Sequence, residues 1–395
     1  MQVLVLNSGS SSLKFQLFKM PEQIIICSGI IERIGFKDAI FKFNTTNNSI
    51  KTIQAILNHK EALKLVAEQL LLKDNGIINK PEDITIVGHR VVHGGKHFKD
   101  TTIITKQVKD KIKALSKLAP LHNPPNLEGI EVAEEIFPKA TQIAVFDTAF
   151  HQTIPEYAYK YAIPVNYAEE HNIRVYGFHG TSHKYVSKEA IKYLDKKNSK
   201  VITIHLGNGC SMTAVKNGKS IECSLGFSPI SGLIMGTRAG DIDATIVFHL
   251  ANKLNMSLDE INVMLQKESG MLGLTGYSDL RDIEEQAEKG NKQCQLALEM
   301  NAYRIKKYIG SFATVLNGLD AIVFTAGIGE NSDVIRQLVC KDLDFLGIKL
   351  DKSKNNIRAK ELTEINTEDS KVKVLIIPTN EELEIAQQAL ELVQN

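Results

Sequence analysis

The sequence predicts an α/β fold made of two similar halves, and three observations carry that expectation. Strand-like and helix-like segments alternate along the chain. A strand, a polar glycine-containing loop and a second strand stand at the N-terminus, and the same device returns from residue 201. The chain has 395 residues, more than the roughly 250–300 at which a single core stops growing, so two domains are expected.

The first device occupies residues 1–18, MQVLVLNSGSSSLKFQLF. Val3, Leu4, Val5 and Leu6 read as a buried strand, Asn7-Ser8-Gly9-Ser10-Ser11-Ser12 as a turn, and a second apolar run containing Lys14 follows. Backbone N–H groups and hydroxyls of such a turn suit an anion, and Lys14 adds a point charge. The GxxxxGK[ST] loop opens a helix instead of a strand, so this is a different phosphate-gripping layout. Serine and glycine are also ordinary turn formers, and the hairpin alone reads equally well as a plain turn.

The second device pairs a strand over 201–206 with Gly207-Asn208-Gly209-Cys210-Ser211 and a strand over 212–216. Asn217-Gly218 then signals a two-residue hairpin into a strand over 219–224. Two such halves facing one another would bring both loops to one cleft. The competing reading is two unrelated hairpins.

Between the devices, residues 60–74 have helical periodicity, while 84–88 and 142–146 read as short buried strands, the latter ending at Asp147. Pro81, Pro120, Pro124, Pro125, Pro138 and Pro155 punctuate this half. Further on, 299–317 predicts a long helix, 321–325 and 372–377 strands, and 381–393 an amphipathic C-terminal helix. The charged stretch 351–371 reads as solvated surface without a role.

Hydrophobic residues make up 43%, enough for sizeable cores, and 47 basic against 46 acidic residues leave a net charge of +1. That balance speaks against nucleic acid or a membrane surface as the main partner. Cys27, Cys210, Cys223, Cys294 and Cys340 are odd in number and scattered, which fits reduced thiols in the cytoplasm. The N-terminal apolar stretch is too short for a signal peptide, and no run approaches the roughly 18 residues of a membrane span. A soluble cytoplasmic enzyme is expected.

Polar residues gather at predicted strand ends, where open α/β sheets keep their sites. Arg90 lies in GHRVVHGG, Asp147 in AVFDTAFH, His179 and His183 in FHGTSH, Arg238 in GTRAGD, and Gly327–Asn331 in AGIGEN. Each has an ordinary alternative: an Asp as a helix cap, a loop Arg as a surface ion pair. His179 and His183 stand at i, i+4, but without a third ligand at suitable spacing they do not make a zinc site. The GxG of 327–329 lacks the full dinucleotide fingerprint.

In order, VLVLNSGSSSLKFQLF, GHRVVHGG, LAPLHNPPNL, VFDTAFHQTIPEYAY, YGFHGTSHKYV, HLGNGCS, MGTRAGDID, FTAGIGEN and IPTNEELEIA resemble the acetate, propionate and butyrate kinase family over nearly the whole chain. The resemblance implies duplicated ribonuclease H-like domains, as in actin-like ATPases, with an active-site cleft between them. It implies a first domain over 1–147, completed by the helix 382–395, and a nucleotide-binding, dimer-forming domain over 148–381. The implied reaction moves the γ-phosphoryl of ATP to acetate, giving acetyl phosphate and ADP, with Mg²⁺ as cofactor and Mn²⁺ as a substitute. A homodimer follows too, with no nucleic acid or membrane partner.

Residue by residue, the resemblance makes Asp147, His179 and Arg238 catalytic, with His122 a weaker donor, and Arg90 the carboxylate ligand. Val92, Leu121, Phe178 and Pro229 would enclose the methyl group. Asn7 and Glu381 match the metal positions. Lys14 and the loop His205, Leu206, Gly207, Asn208, Gly209 would meet phosphates; Asp279, Leu280, Arg281 and Gly327, Ile328, Gly329, Glu330, Asn331 would hold the adenosine side. The chain departs from the family's usual pattern at Ile230-Ser231-Gly232, at Asp243-Ala244, and in a shortened 276–279 segment. Alternatives are a propionate or butyrate kinase and, from another class, a switch ATPase like actin or Hsp70.

Overall fold

A computed structural model describes residues 1–72 and 75–394 and divides into two units, Met1–Phe150 with Asn380–Asn395, and His151–Thr379. In the first, five strands form an antiparallel meander, β1 (Gln2–Ser8), β2 (Ser12–Lys19), β3 (Ile24–Glu32), β4 (Ala39–Thr45) and β5 (Ser49–Gln54). On the other side of β1, β6 (Ile86–Val91) and β8 (Thr141–Phe146) run parallel to it, and the short β7 (Thr102–Ile103) closes the edge. The sheet order is β5-β4-β3-β2-β1-β6-β8-β7.

The middle of β1, Val3–Leu6, is apolar throughout because both faces are covered. Leu4 and Leu6 join Phe15, Phe41, Phe43, Leu63 and Val66 in one core. Val3 and Val5, pointing the other way, join Ile86, Ile143, Ile385, Ala386 and Ala389 in another. The second core is supplied by the C-terminal helix Glu381–Gln394. It lies so close to β6 that a Cβ on Gly88 would meet Ile385 Cγ2 at 2.8 Å; only glycine fits there.

The second unit repeats this plan. Antiparallel β9 (Lys200–Leu206), β10 (Cys210–Lys216) and β11 (Lys219–Cys223) are followed by β12 (Ala321–Thr325) and β14 (Lys373–Ile376) parallel to β9, with β13 (Thr363–Glu364) antiparallel at the edge. Its order, β11-β10-β9-β12-β14-β13, matches β3-β2-β1-β6-β8-β7 strand for strand and direction for direction. The fold is a duplicated α/β unit of the ribonuclease H-like kind. One face of β9 is unusual in carrying Thr203 and His205, which bond to His183 and Ser182 of the helix Gly180–Leu194.

Four local expectations change. The strand expected over 84–88 runs Ile86–Val91, so Arg90 lies within it instead of beyond its end. The helix expected over 299–317 starts at Lys292, because the Asn291 side chain accepts from the amides of Gln293 and Cys294 and caps it. The helix expected over 60–74 runs His59–Leu71, and residues 73 and 74 lie outside the described residues. The stretch 351–371 is not merely solvated surface. It holds the short helix Lys352–Asn355 and β13, and its Asn355 is buried against the fully buried Arg336.

Candidate active site

In the first unit the polar groups collect at the ends of β1, β6 and β8 and at the start of the C-terminal helix. Arg90 on β6 points Nε and Nη2 at Asp147 Oδ2, 3.0 and 2.5 Å away, and Nη1 at Asn7 Oδ1, 3.2 Å. Asp147, directly after β8, is 1% exposed. Burial pulls the Arg90 guanidinium down, but Asp147, Glu381 and Glu382 outweigh it and raise its pKa, so it stays a cation. The same crowding pushes the Glu381 carboxyl up to about 7: burial first, opposed by Arg90, with Asp147 and Glu382 adding to the rise.

Lys14 faces Asn7 across the β1–β2 hairpin, and its ammonium pairs with Glu382 at 2.7 Å. The hairpin amide of Gly9 is used internally, donating to Ser12 O at 2.8 Å. The backbone amide of Val92, a buried residue, donates to Asn126 Oδ1 at 3.0 Å, whereas Leu121 is 58% exposed. His122 sits at the N-cap of the helix Asn123–Ile136 without a capping bond from its side chain.

In the second unit, His179 occupies the left-handed region at φ 56°, ψ 26°, just before the helix Gly180–Leu194. Its ring stacks on His205 with centroids 4.5 Å apart, and its Nδ1 lies 2.8 Å from Ser211 Oγ. Arg238 Nη1 donates to the carbonyl of Pro229 at 2.9 Å. His179 and Arg238 converge on Gly209: a Cβ there would stand 3.4 Å from His179 Cε1 and 3.7 Å from Arg238 Nη1. Phe178 is buried, and its carbonyl accepts from His151 Nε2 at 3.0 Å.

Beside this point opens a cavity of ≈ 770 Å³ lined by Gly207, Asn208, Asp279, Leu280, Arg281, Gly327, Ile328 and Asn331. Asp279 caps the helix Leu280–Glu288 and is paired with Arg281, whose side-chain bonds, ahead of its backbone amide, lower the Asp279 carboxyl to about 2. Asn208 is held by the close approach of Gly236, where a Cβ would fall 2.1 Å from Asn208 Oδ1.

Of the expected nucleotide residues of this unit, His205, Leu206, Gly209, Gly329 and Glu330 are not among those lining the cavity. Leu206 is core. Gly329 gives its carbonyl to Arg336 Nη1 at 2.9 Å, and Glu330 Oε1 accepts the Thr379 amide at 3.1 Å.

The acetokinase family model matches residues 2–387. This chain belongs to the acetokinase family. It is 62% identical to an acetate kinase of Flavobacterium johnsoniae over the whole length of both chains. It superposes on an acetate kinase of Porphyromonas gingivalis with a TM-score of 0.94 at 41% identity, over 99% of each chain. A propionate kinase of Francisella tularensis follows at 0.92 and 43%, again over 99% of each.

The departures from the family's usual pattern have local explanations. Ser231 Oγ accepts the amide of Gly226 at 2.8 Å. Without the usual proline at 244, Asp243 Oδ1 still accepts from Thr245 N at 2.8 Å, just inside the helix Thr245–Lys253. The shortened segment turns at Gly276, φ 83°, a left-handed position that glycine adopts freely.

Sequence reasoning missed Ser278, Glu284, Ser332, Asp333 and Arg358, which also line the cavity. Ser332 carried a readable signal, a serine before an amphipathic run, and it caps Asp333–Cys340. Arg358 carried none, since it sits in a stretch whose charge pattern resembles plain surface.

Proposed function

We propose that this chain transfers the γ-phosphoryl group of ATP to acetate. A carboxylate oxygen attacks the γ-phosphorus in line, the bond from that phosphorus to the β–γ bridging oxygen breaks, and acetyl phosphate and ADP leave. Acetate is ionised at neutral pH, so no proton has to move in this step. The demand is positioning and charge compensation.

The observation that carries the reading is the convergence of His179 and Arg238 on Gly209, in the loop whose Gly207 and Asn208 line the cavity. There they would face the equatorial oxygens of the transferring group. Arg90 would hold the acetate carboxylate with its fork, and Asp147 would orient Arg90 instead of acting as a base.

The oxygen donors Asn7 and Glu381 fit Mg²⁺, which needs only one or two protein oxygens beside water and phosphate. Burial first, then the neighbouring Asp147 and Glu382 carboxylates, raise the Glu381 pKa, and this buried, acid-rich setting suits a divalent cation. Bound there, Mg²⁺ or Mn²⁺ would neutralise phosphate oxygens and orient the triphosphate.

Val92 would limit the acyl chain with Leu121, Phe178 and Pro229. One methylene is worth about 1–3 kcal/mol in such a pocket. Acyl phosphate trapped with hydroxylamine is therefore expected with acetate first, propionate second at a kcat/KM lower by about 10–200-fold, and butyrate last. The similarity to a propionate kinase is the observation behind the second reading. Propionate turnover above acetate would move the substrate, and ATP hydrolysis indifferent to all three acids would overturn the kinase reading.

A homodimer through the second unit is supported by the helix Thr245–Lys253, which has no buried residue although it displays Ile246 and Phe248, 41% and 63% exposed. Leu254 and Leu258 extend the apolar surface. Sedimentation should give a dimer that Phe248→Asp weakens; a monomeric wild type would exclude it. The five free, buried cysteines fit a reducing cytoplasm.

A further inference from the structure

We infer that Ser211, His183 and Thr203 are positioning residues that hold His179 as its Nδ1–H tautomer; the functional consequence rests on the role proposed above for His179. The chain of contacts is continuous. His179 Nδ1 lies 2.8 Å from Ser211 Oγ, and Ser211 Oγ 2.7 Å from His183 Nε2. His183 Nδ1 lies 2.7 Å from Thr203 Oγ1, which reaches the carbonyl of Thr213 at 3.4 Å. Ser211, His183 and Thr203 are at most 1% exposed.

Each hydroxyl has one hydrogen and each neutral imidazole one N–H, so the chain has a polarity and turns as a unit. In one polarity Thr203 donates to the Thr213 carbonyl, His183 Nδ1 donates to Thr203, Ser211 donates to His183 Nε2, and His179 Nδ1 donates to Ser211. All four contacts are then hydrogen bonds. In the opposite polarity Thr203 spends its hydrogen on His183, and the contact to the Thr213 carbonyl is lost. Buried polar groups favour the fully satisfied arrangement. Both polarities require neutral His183, and burial, with His151 and His205 adding, holds its pKa well below the usual histidine range.

The backbone agrees. His179 stands at an N-cap yet makes no capping bond with its side chain. It holds a left-handed conformation that non-glycine residues seldom adopt, with its ring Nδ1 against Ser211 Oγ. Within this unit the ring also meets His205 by stacking, and Arg238 across Gly209.

With Nδ1 committed as donor, Nε2 of a neutral ring is an acceptor. His179 then donates through Nε2 to a phosphoryl oxygen only as imidazolium, which places a full charge beside Arg238.

The test is two-bond ¹H–¹⁵N correlation of ¹⁵N-histidine-labelled protein, with His179 assigned from His179→Gln. The expected neutral-state pattern is Nδ1–H. In Ser211→Ala the neutral ring should shift toward Nε2–H, while kcat falls about 10–100-fold because the imidazolium loses the acceptor for its Nδ1–H, and KM values stay near wild type. Thr203→Val, which keeps Ser211 and the side-chain shape, should weaken the same preference.

An Nε2–H wild type, or a tautomer unmoved by both variants, would overturn the inference. Full activity in His179→Gln together with the expected tautomer would leave the positioning intact and overturn the role of His179 instead.

Discussion

Replacing Arg90 with alanine is expected both to destabilise the protein and to remove carboxylate binding. Asp147 is 1% exposed and accepts two guanidinium bonds. Truncating one partner of a buried pair costs about 3–5 kcal/mol, because the remaining charge has already been desolvated. The Arg90 side chain is 22% exposed, so water recovers part of that and the expected loss lies near the lower end, about 3 kcal/mol. Glu381 loses the cation that opposes its rise, and its carboxyl shifts further toward the protonated form.

Arg90→Lys separates the two effects. An ammonium restores charge to the cluster but not the fork, so urea midpoints should recover more than the KM for acetate does. If Arg90→Ala lowers the midpoint while leaving that KM unchanged, Arg90 is a structural cation only.

For Arg238→Ala the expected result is the reverse split. Its side chain bonds to the Pro229 carbonyl and makes a longer contact to Met235 Sδ at 3.8 Å, and losing them should cost about 1 kcal/mol. Removing a donor aimed at charge that develops in the transition state costs about 10²–10³ in kcat. Turnover should therefore collapse while thermal stability scarcely moves. The loop backbone is held independently, with Gly270 packed so that a Cβ would fall 2.6 Å from Arg238 O; the truncated side chain leaves that support in place. Loss of less than tenfold in kcat would exclude Arg238 from transition-state stabilisation.

Much of the fold was legible because local pattern and burial coincide. β1, β9 and β12 are apolar runs ended by polar or glycine residues, and each is a strand. Strands β3 to β5 were missed because their information is weaker. β5 has no buried residue and reads SIKTIQ, with nothing to mark it as the edge of a sheet.

The sequence by itself determined the family, the duplicated α/β class, and the succession of strand ends that carry Asn7, Arg90, Asp147, His205 and Gly327. These depend on neighbours in the chain: periodicity, turn residues and ordered blocks. Only the tertiary structure decided that Lys14 meets Glu382, that Arg358 reaches the cavity, and that Ser211 stands between two histidines. Those contacts join residues far apart in sequence, and their partners are chosen by strand register and helix packing. No local preference of lysine, arginine or serine encodes that choice.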